Sequence, residues 1–307
     1  MITPSSPNYE FVRVGDGIHA AIARLAGNGI CNSGMVDLGG ETLLFDTSLT
    51  PGTARELRAA TENSLGRPPS IAALSHWHLD HSLGSQEFSS VPIWSTRRTR
   101  EIMLELRGQL AIDLTRGALE KDIRELEALR GTMPSKDALD DLQFGIQINR
   151  AILSELDELK PIPSDHTFET QLSLPGTREA ELISFGAGHT EADAILFLPR
   201  EKVVFAGDLA VVGVQPSMGS GNPDHWLVVL DEVERLGAER IVPGHGPVVA
   251  GDGLDEIRGY VSGVLRAAEN PEGAALPATI RRWEGSVSLK ENLKFARSWV
   301  ASPRGRK

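Results

Sequence analysis

Ser75-His76-Trp77-His78-Leu79-Asp80-His81 packs three histidines and an aspartate into one short stretch. Imidazole nitrogens and carboxylate oxygens are the donors that zinc and similar divalent ions take. In an extended segment alternate side chains share a side, so His76 and His78 can both reach one ion. A turn at Asp80-His81 then offers a second pair. The apolar run Ile71 to Leu74 just upstream reads as a buried strand, which puts the histidines on the loop at its C-terminal end, where open α/β sheets carry their chemistry. Solvated surface histidines are the bland alternative. It fits poorly beside a buried strand, because clustered imidazoles and a carboxylate are costly to desolvate without a metal partner.

Working outward, three more ligand-type residues each follow a short apolar strand and sit beside glycine. His189 follows Glu181 to Phe185 through Gly186-Ala187-Gly188, Asp208 follows Lys202 to Phe205 in Ala206-Gly207-Asp208, and His245 follows Arg240 to Val242 in Pro243-Gly244-His245-Gly246. A single histidine or aspartate on a turn is usually structural or solvated. Together with the first cluster, they supply five histidines and two aspartates, enough for two ions.

The surrounding chain alternates strands and helices. Phe11 to Val14, Ile18 to Arg24, Met35 to Leu38 and Thr42 to Phe45 read as strands, with Gly39-Gly40 as a hairpin turn. Thr50 to Ser64 reads as a helix with Pro51 near its start. Strands resume at Gln171 to Leu174, Glu181 to Phe185, Ala194 to Leu198, Lys202 to Phe205 and Arg240 to Val242. Helices are predicted at Pro223 to Leu236 and Gly253 to Ala268, and weaker ones at Pro277 to Trp283 and Ser288 to Val300. This alternation favours an α/β layered fold.

From Arg97 to Lys160 the texture changes. Ile102, Leu106, Leu110, Leu119, Ile123 and Leu126 recur at helical spacing among charges, Gly131 to Pro134 breaks the pattern, and Ser135 reads as an N-cap for a second helical run. A helical hairpin inserted at 97–160 is therefore expected. Amphipathic spacing shows one buried face but not against what, so ordinary surface helices, a cap over the active site and a dimer contact all stay open.

His76-x-His78-x-Asp80-His81, Gly188-His189-Thr190, Gly207-Asp208 and Pro243-Gly244-His245-Gly246, in this order, resemble the metallo-β-lactamase superfamily. The resemblance implies a four-layer αβ/βα sandwich of two mixed β-sheets flanked by helices, as one domain over 1–307 with the 97–160 insertion and a helical tail at 270–307. It implies that His76, His78 and His189 hold one metal, that Asp80, His81 and His245 hold another, and that Asp208 bridges them. Asp46 matches an early aspartate that supports the metal loop without binding metal. Two ions ~3.5–4 Å apart lower the pKa of a shared water from ~15.7 towards ~7, giving hydroxide at neutral pH. Asp80 is then a second candidate catalytic group besides Asp208, orienting that hydroxide or passing its proton onward.

The expected activity is metal-dependent hydrolysis of a small-molecule ester, lactone, thioester or amide. Two divalent ions serve as cofactors, zinc first, with manganese or iron compatible with the same donors. A mono-iron sulfur (persulfide) dioxygenase on the same framework is the alternative, using the equivalents of His76, His189 and Asp208. A β-lactamase proper fits less well, since its best-known branch carries cysteine where this chain has Asp208, and Cys31 is far from that position in sequence. A nuclease fits poorly with a net charge of −11, which repels phosphate backbones; Arg97, Arg98 and Arg100 come closest to a basic patch.

Hydrophobic residues at 40% and charged residues at 24% suit a folded globular chain. The single cysteine excludes an internal disulfide and reads as a small buried hydrophobe. The polar Met1 to Glu10 lacks a signal-peptide pattern and no apolar run matches a membrane span, so the cytoplasm is the default location. A small-molecule substrate is the expected partner, with no nucleic acid or membrane, and a homodimer stays open. Trp77 reads as a packing residue or a pocket wall, Thr190 and Glu191 as supports for His189, and Asp224-His225 as a helix cap and first-turn residue after the loop Gly213 to Gly221. His19 and His166 receive no role.

Overall fold

The computed structural model describes residues 6–270 and 275–302; the outermost residues of the N-terminal stretch and parts of the tail expected at 270–307 lie outside them. Two sheets result from the strand pattern. The first is seven-stranded, in the order β1 (Tyr9–Gly15), β2 (Ile18–Ala23), β3 (Ser33–Asp37), β4 (Thr42–Phe45), β5 (Ile71–Ala73), β6 (Ile93–Thr96) and β7 (His166–Phe168). Its first four strands form an antiparallel meander, and β4 to β7 pair in parallel. Gly39 and Gly40 both take positive φ in the β3–β4 turn, as a tight hairpin needs. The second sheet comprises β8 (Gln171–Ser173), β9 (Glu181–Gly186), β10 (Asp193–Leu198), β11 (Val203–Val211), β12 (Arg240–His245) and β13 (Val249–Ala250) in spatial order 13-12-11-10-9-8. Only β11 and β12 pair in parallel, so both sheets are mixed.

Side-chain alternation along these strands builds the layers. Leu43 and Phe45 of β4, Ile71 and Ala73 of β5, Leu196 and Leu198 of β10 and Val203 and Phe205 of β11 meet in one core between the sheets. The intervening Leu44 and Ala72 face outward onto Ala54 and Leu57 of α1 (Pro51–Leu65). Ile195, Phe197 and Val204 face outward on the other side, against α7 (Pro223–Arg235), α8 (Asp255–Glu269), α9 (Ala278–Arg281) and α10 (Val287–Ala301). Helix, sheet, sheet, helix is the four-layer αβ/βα sandwich. Pro51 occupies the first turn of α1, and Thr50 caps it by accepting from the Thr53 N–H.

The remaining helices are the short α2 (Leu79–Ser82) after β5, then α3 (Arg97–Glu105), α4 (Arg107–Asp113), α5 (Arg116–Leu129) and α6 (Lys136–Glu155) between β6 and β7. The expected hairpin is the α5–α6 pair, and Ser135 caps α6 as predicted, accepting from the Ala138 N–H. Leu119, Ala151 and Ile152 pack on Leu49 and Leu83 beside the ligand loop. Leu142 and Ile146, with Val287 of α10, form a separate cluster. No helix among the described residues is long and apolar enough to cross a membrane.

Candidate metal centre

Asp46, immediately after β4, adopts a left-handed backbone conformation with φ 65°, which an aspartate tolerates better than most residues. This turn aims its buried carboxylate at the ligand loop. Oδ1 accepts from the Ser75 N–H at 2.7 Å, and Oδ2 accepts from the Ser75 hydroxyl and from His81 Nδ1, each at 2.8 Å. Because the Ser75 hydroxyl donates to Asp46, its lone pair is left to accept from His76 Nδ1 at 2.9 Å. His245 Nδ1 donates to the Ile30 carbonyl at 3.0 Å, and His78 Nε2 lies 3.2 Å from Ser220 Oγ. The network thereby engages the outer nitrogens and turns Nε2 of His76, His81 and His245 and Nδ1 of His78 inward as the atoms that would meet a cation.

Those atoms converge. His76, His78, His189 and Asp208 form one group and Asp80, His81 and His245 another, with donor atoms inside each group within 4.8 Å of one another. Asp208 faces both groups. Its Oδ2 lies 3.5 Å from His189 Nε2, while Oδ1 lies 3.1 Å from His81 Nε2 and 3.3 Å from His245 Nε2. Asp80 Oδ2 completes the second group at 3.2 Å from His245 Nε2 and 3.5 Å from His81 Nε2. All seven residues expected from the sequence are brought together.

A divalent cation suits this donor set. His76 Nε2, His81 Nε2 and Asp208 Oδ1 are buried without a hydrogen-bond partner, a state that costs free energy unless something else occupies those lone pairs. His78 Nδ1 and His189 Nε2 stand 2.9 Å apart, near the separation of about 3.3 Å that two nitrogens ~2.0–2.1 Å from one tetrahedral ion would show. Burial drives His76, His78 and His189 down, His189 to about 3, so their nitrogens stay free to coordinate. In the second group burial opposes charge but is outweighed: Asp208 and Asp80 lift His245 to about 10, and Cys31 with Asp208, Asp80 and Asp46 lifts His81 well above its ordinary value. Burial pushes Asp80 and Asp208 up, yet His81 and His245 pull Asp80 to about 2 and Asp208 well below the carboxylate range. Protons and a cation compete for this position, so binding there releases protons.

Asp208 and His245 do not follow their strands, as the short apolar runs suggested; they lie inside β11 and at the end of β12. Parallel pairing of these strands extends both past their apolar segments. A close approach makes the juxtaposition possible: a Cβ on Gly244 would fall 2.0 Å from Asp208 Oδ1. Cys31 is buried as expected, but it lies under the ligand loop, donating to the Asp80 carbonyl at 2.9 Å.

Other expectations are redistributed. The N-cap of α7 is Asn222 and not Asp224; Asp224 instead accepts from the Trp299 indole at 2.8 Å. His225 Nδ1 donates to the Ala187 carbonyl at 2.7 Å, bracing the loop that carries His189. Glu191 pairs with Arg98 at 2.7 Å, away from His189, and Arg97 pairs with Glu169, so these arginines form no open basic patch. Trp77 packs steeply against His78, ring centroids 4.4 Å apart, and lines a small apolar cavity with Met103, Leu106 and Ile162 that none of the seven ligand-type residues lines.

Four residues were not singled out from the sequence. Asp193, buried at the start of β10, accepts from the Gly188 N–H and from the Thr190 N–H and hydroxyl, shaping the turn before and after His189; Thr190 supports His189 through it and through its own carbonyl, which accepts from the Gly188 N–H at 3.0 Å. Asn32 donates to the Pro243 and Gly246 carbonyls, each at 2.8 Å, fixing the His245 turn. Phe144 of α6 packs its ring nearly perpendicular to that of His245, centroids 5.6 Å apart, and Ser220 faces His78. The Thr190-x-x-Asp193 spacing was a visible signal, since Ser/Thr and Asp side chains close turns of this length. The other three depend on contacts across the fold.

A model of the metallo-beta-lactamase superfamily matches residues 26–245. No curated protein matches the chain significantly. Among solved structures, a metallo-beta-lactamase from Pontibacter korlensis is 18% identical with a TM-score of 0.59, covering 83% of this chain and 99% of that one. The metallo-beta-lactamase FIM-1 from Pseudomonas aeruginosa, in its mono-zinc form, is 15% identical with a TM-score of 0.57, covering 85% of this chain and 98% of that one. A third, from Hirschia baltica, is 15% identical with a TM-score of 0.56, over 83% of this chain and 98% of that one. At these identities the structural likeness is one of fold. With the family match spanning most of the sandwich and all four ligand-bearing motifs, the chain belongs to the metallo-β-lactamase superfamily.

Proposed function

We propose that this chain is a hydrolase that works with two divalent cations, zinc foremost, and cleaves a small-molecule ester, lactone, thioester or amide. The observation that carries the reading is Asp208, whose two oxygens face two separate nitrogen groups. Two cations in such positions would supply Lewis acidity, bringing a water's pKa from ~15.7 towards ~7 and polarising the scissile carbonyl. His76, His78 and His189 would hold the first cation and Asp80, His81 and His245 the second, with Asp208 shared.

Asp80 combines two features useful to the reaction. It stays ionised, with His81 and His245 outweighing burial, and its carboxylate borders the space between the groups. It can therefore orient the attacking water and take its proton. Phe144 packs its ring against that of His245, which supports the cap reading of the 97–160 helices: α6 would exclude water from that side and restrict what approaches.

Metal analysis with a substrate panel tests the reading. Purified protein loaded with zinc should carry two ions per chain and turn over at least one ester, lactone or thioester. Asp208→Ala should reduce turnover by more than ~100-fold, beyond the ~10–100-fold typical of an outer-sphere change. One iron per chain would favour the persulfide dioxygenase instead, and the complete second group, Asp80, His81 and His245, weighs against it. A panel silent at full metal occupancy, β-lactams included, would overturn the hydrolase.

A further inference from the structure

The segment between β11 and α7 touches the first ligand group at two points. Ser220 Oγ lies 3.2 Å from His78 Nε2. Next to it, Gly221 packs so closely on the His189 loop that a Cβ would fall 2.1 Å from the Gly188 oxygen and 2.5 Å from the His189 oxygen. The Asn222 N–H donates to that same Gly188 carbonyl at 3.0 Å.

What holds this segment in place lies at the far end of the chain. Asn292 of α10 is 3% exposed and spends its whole amide here. Its Oδ1 accepts from the Met218 N–H at 2.9 Å, and its Nδ2 donates to the Pro216 carbonyl at 2.8 Å and to the Tyr260 hydroxyl at 2.9 Å. Gln215 extends the anchorage, donating to Asp141 of α6 and to Ser286, each at 2.9 Å, while accepting from Tyr260 at 3.0 Å. A buried amide satisfied on every side fixes its partners tightly. The second ligand group is braced differently, by Asp46 on His81 and the Ile30 carbonyl on His245.

We propose that Ser220 is a positioning residue for His78, held in register by Asn292, so that the C-terminal helix sets cation affinity in the first ligand group only. Ser220 Oγ accepts the Nε2–H of His78 and so keeps the Nδ1 lone pair pointed at His189 and Asp208. His78 is half-buried and has more freedom to turn than the fully buried His76, which makes this contact matter. The inference rests on the two-cation reading given above.

Titration of the metal-free protein with Zn²⁺ against a chelating indicator tests it without reference to any substrate. The parent should take up two equivalents. Ser220→Ala should weaken one equivalent by about 10–100-fold, the usual effect of removing such a partner, and leave the other unchanged; Ser220→Thr, which keeps the hydroxyl, should restore it. In a His245→Ala background, which damages the second group, the added Ser220→Ala change should weaken the surviving equivalent. Asn292→Ala should act on the same equivalent as Ser220→Ala. Should that buried change prevent folding, the Ser220 pair alone decides. Unchanged affinity in Ser220→Ala, or equal weakening of both equivalents, would overturn the inference. A parent that never exceeds one equivalent would overturn the two-cation reading itself, and the parent titration shows this before any substitution is compared.

Discussion

Asp46 Oδ2 accepts from His81 Nδ1 at 2.8 Å, and the same oxygen accepts from Ser75, so one carboxylate outside the ligand set orients two ligand histidines. Asp46→Asn separates the two jobs of this residue. Asparagine tolerates the left-handed backbone, but its amide N–H₂ faces donors that need an acceptor. The variant should fold, with zinc affinity lowered by about 10–100-fold, as read by competition with a chelator. Unaltered affinity would show that His76 and His81 do not depend on this contact.

Gly244 sits where any side chain would strike Asp208. Gly244→Ala should cost about 1–3 kcal/mol as overpacking and push the Asp208 carboxylate out of its shared position. Calorimetry and metal analysis together check this. A variant with parental melting temperature and parental zinc content would contradict the close approach.

Asp193 gives a pH test. Burial outweighs its three donors and raises its carboxyl to about 6 from 3.8. Between about pH 4 and 6 the unfolded chain has released this proton while the folded chain keeps it, so the residue's contribution to stability falls as pH rises through that window. Asp193→Asn cannot titrate, and by unpairing the donors around Gly188 and Thr190 it should cost about 1–3 kcal/mol. In denaturant titrations of the metal-free proteins, the parent's margin over the variant should shrink from pH 4 to pH 6. A margin that grows instead would mean the carboxylate is ionised throughout.

Cys31 should be inert. Burial pushes its thiol up to about 11, and thiolate is the reactive form. Iodoacetamide at pH 8 should label the native protein far more slowly than the denatured one, followed by mass spectrometry. Rapid labelling of the native state would place the sulfur at an accessible surface.

Much of the sandwich is legible in the sequence because its strands obey period two and its ligand motifs are local. Leu43, Leu44 and Phe45 announce a strand buried on both faces, and His76 to His81 announce their chemistry unaided. Strand β6 and the edge strand β7 are another matter. Ile93 to Thr96 and His166 to Phe168 are short and carry polar residues; β6 is held by parallel pairing with β5 and β7, and β7 by pairing with β6 across the whole helical insertion. Asn32 and Asn292 are similarly silent, since a lone amide gains its meaning from carbonyls and amides dozens to hundreds of residues away. The apolar pattern puts Asp208 past its strand because hydrophobicity stops at Phe205 and Ala206, whereas pairing with β12 continues.

None of the seven ligand-type side chains comes from α3 to α6; they come from the loop after β5 and the short α2, from the loop after β9, from within β11 and from the end of β12. Phe144 touches His245 only as an apolar neighbour. The covering helices can thus drift in sequence, or be exchanged for another set, and the spacing of the ligands beneath would persist. In the cap reading proposed above, selectivity and reactivity would be free to evolve on separate parts of one chain.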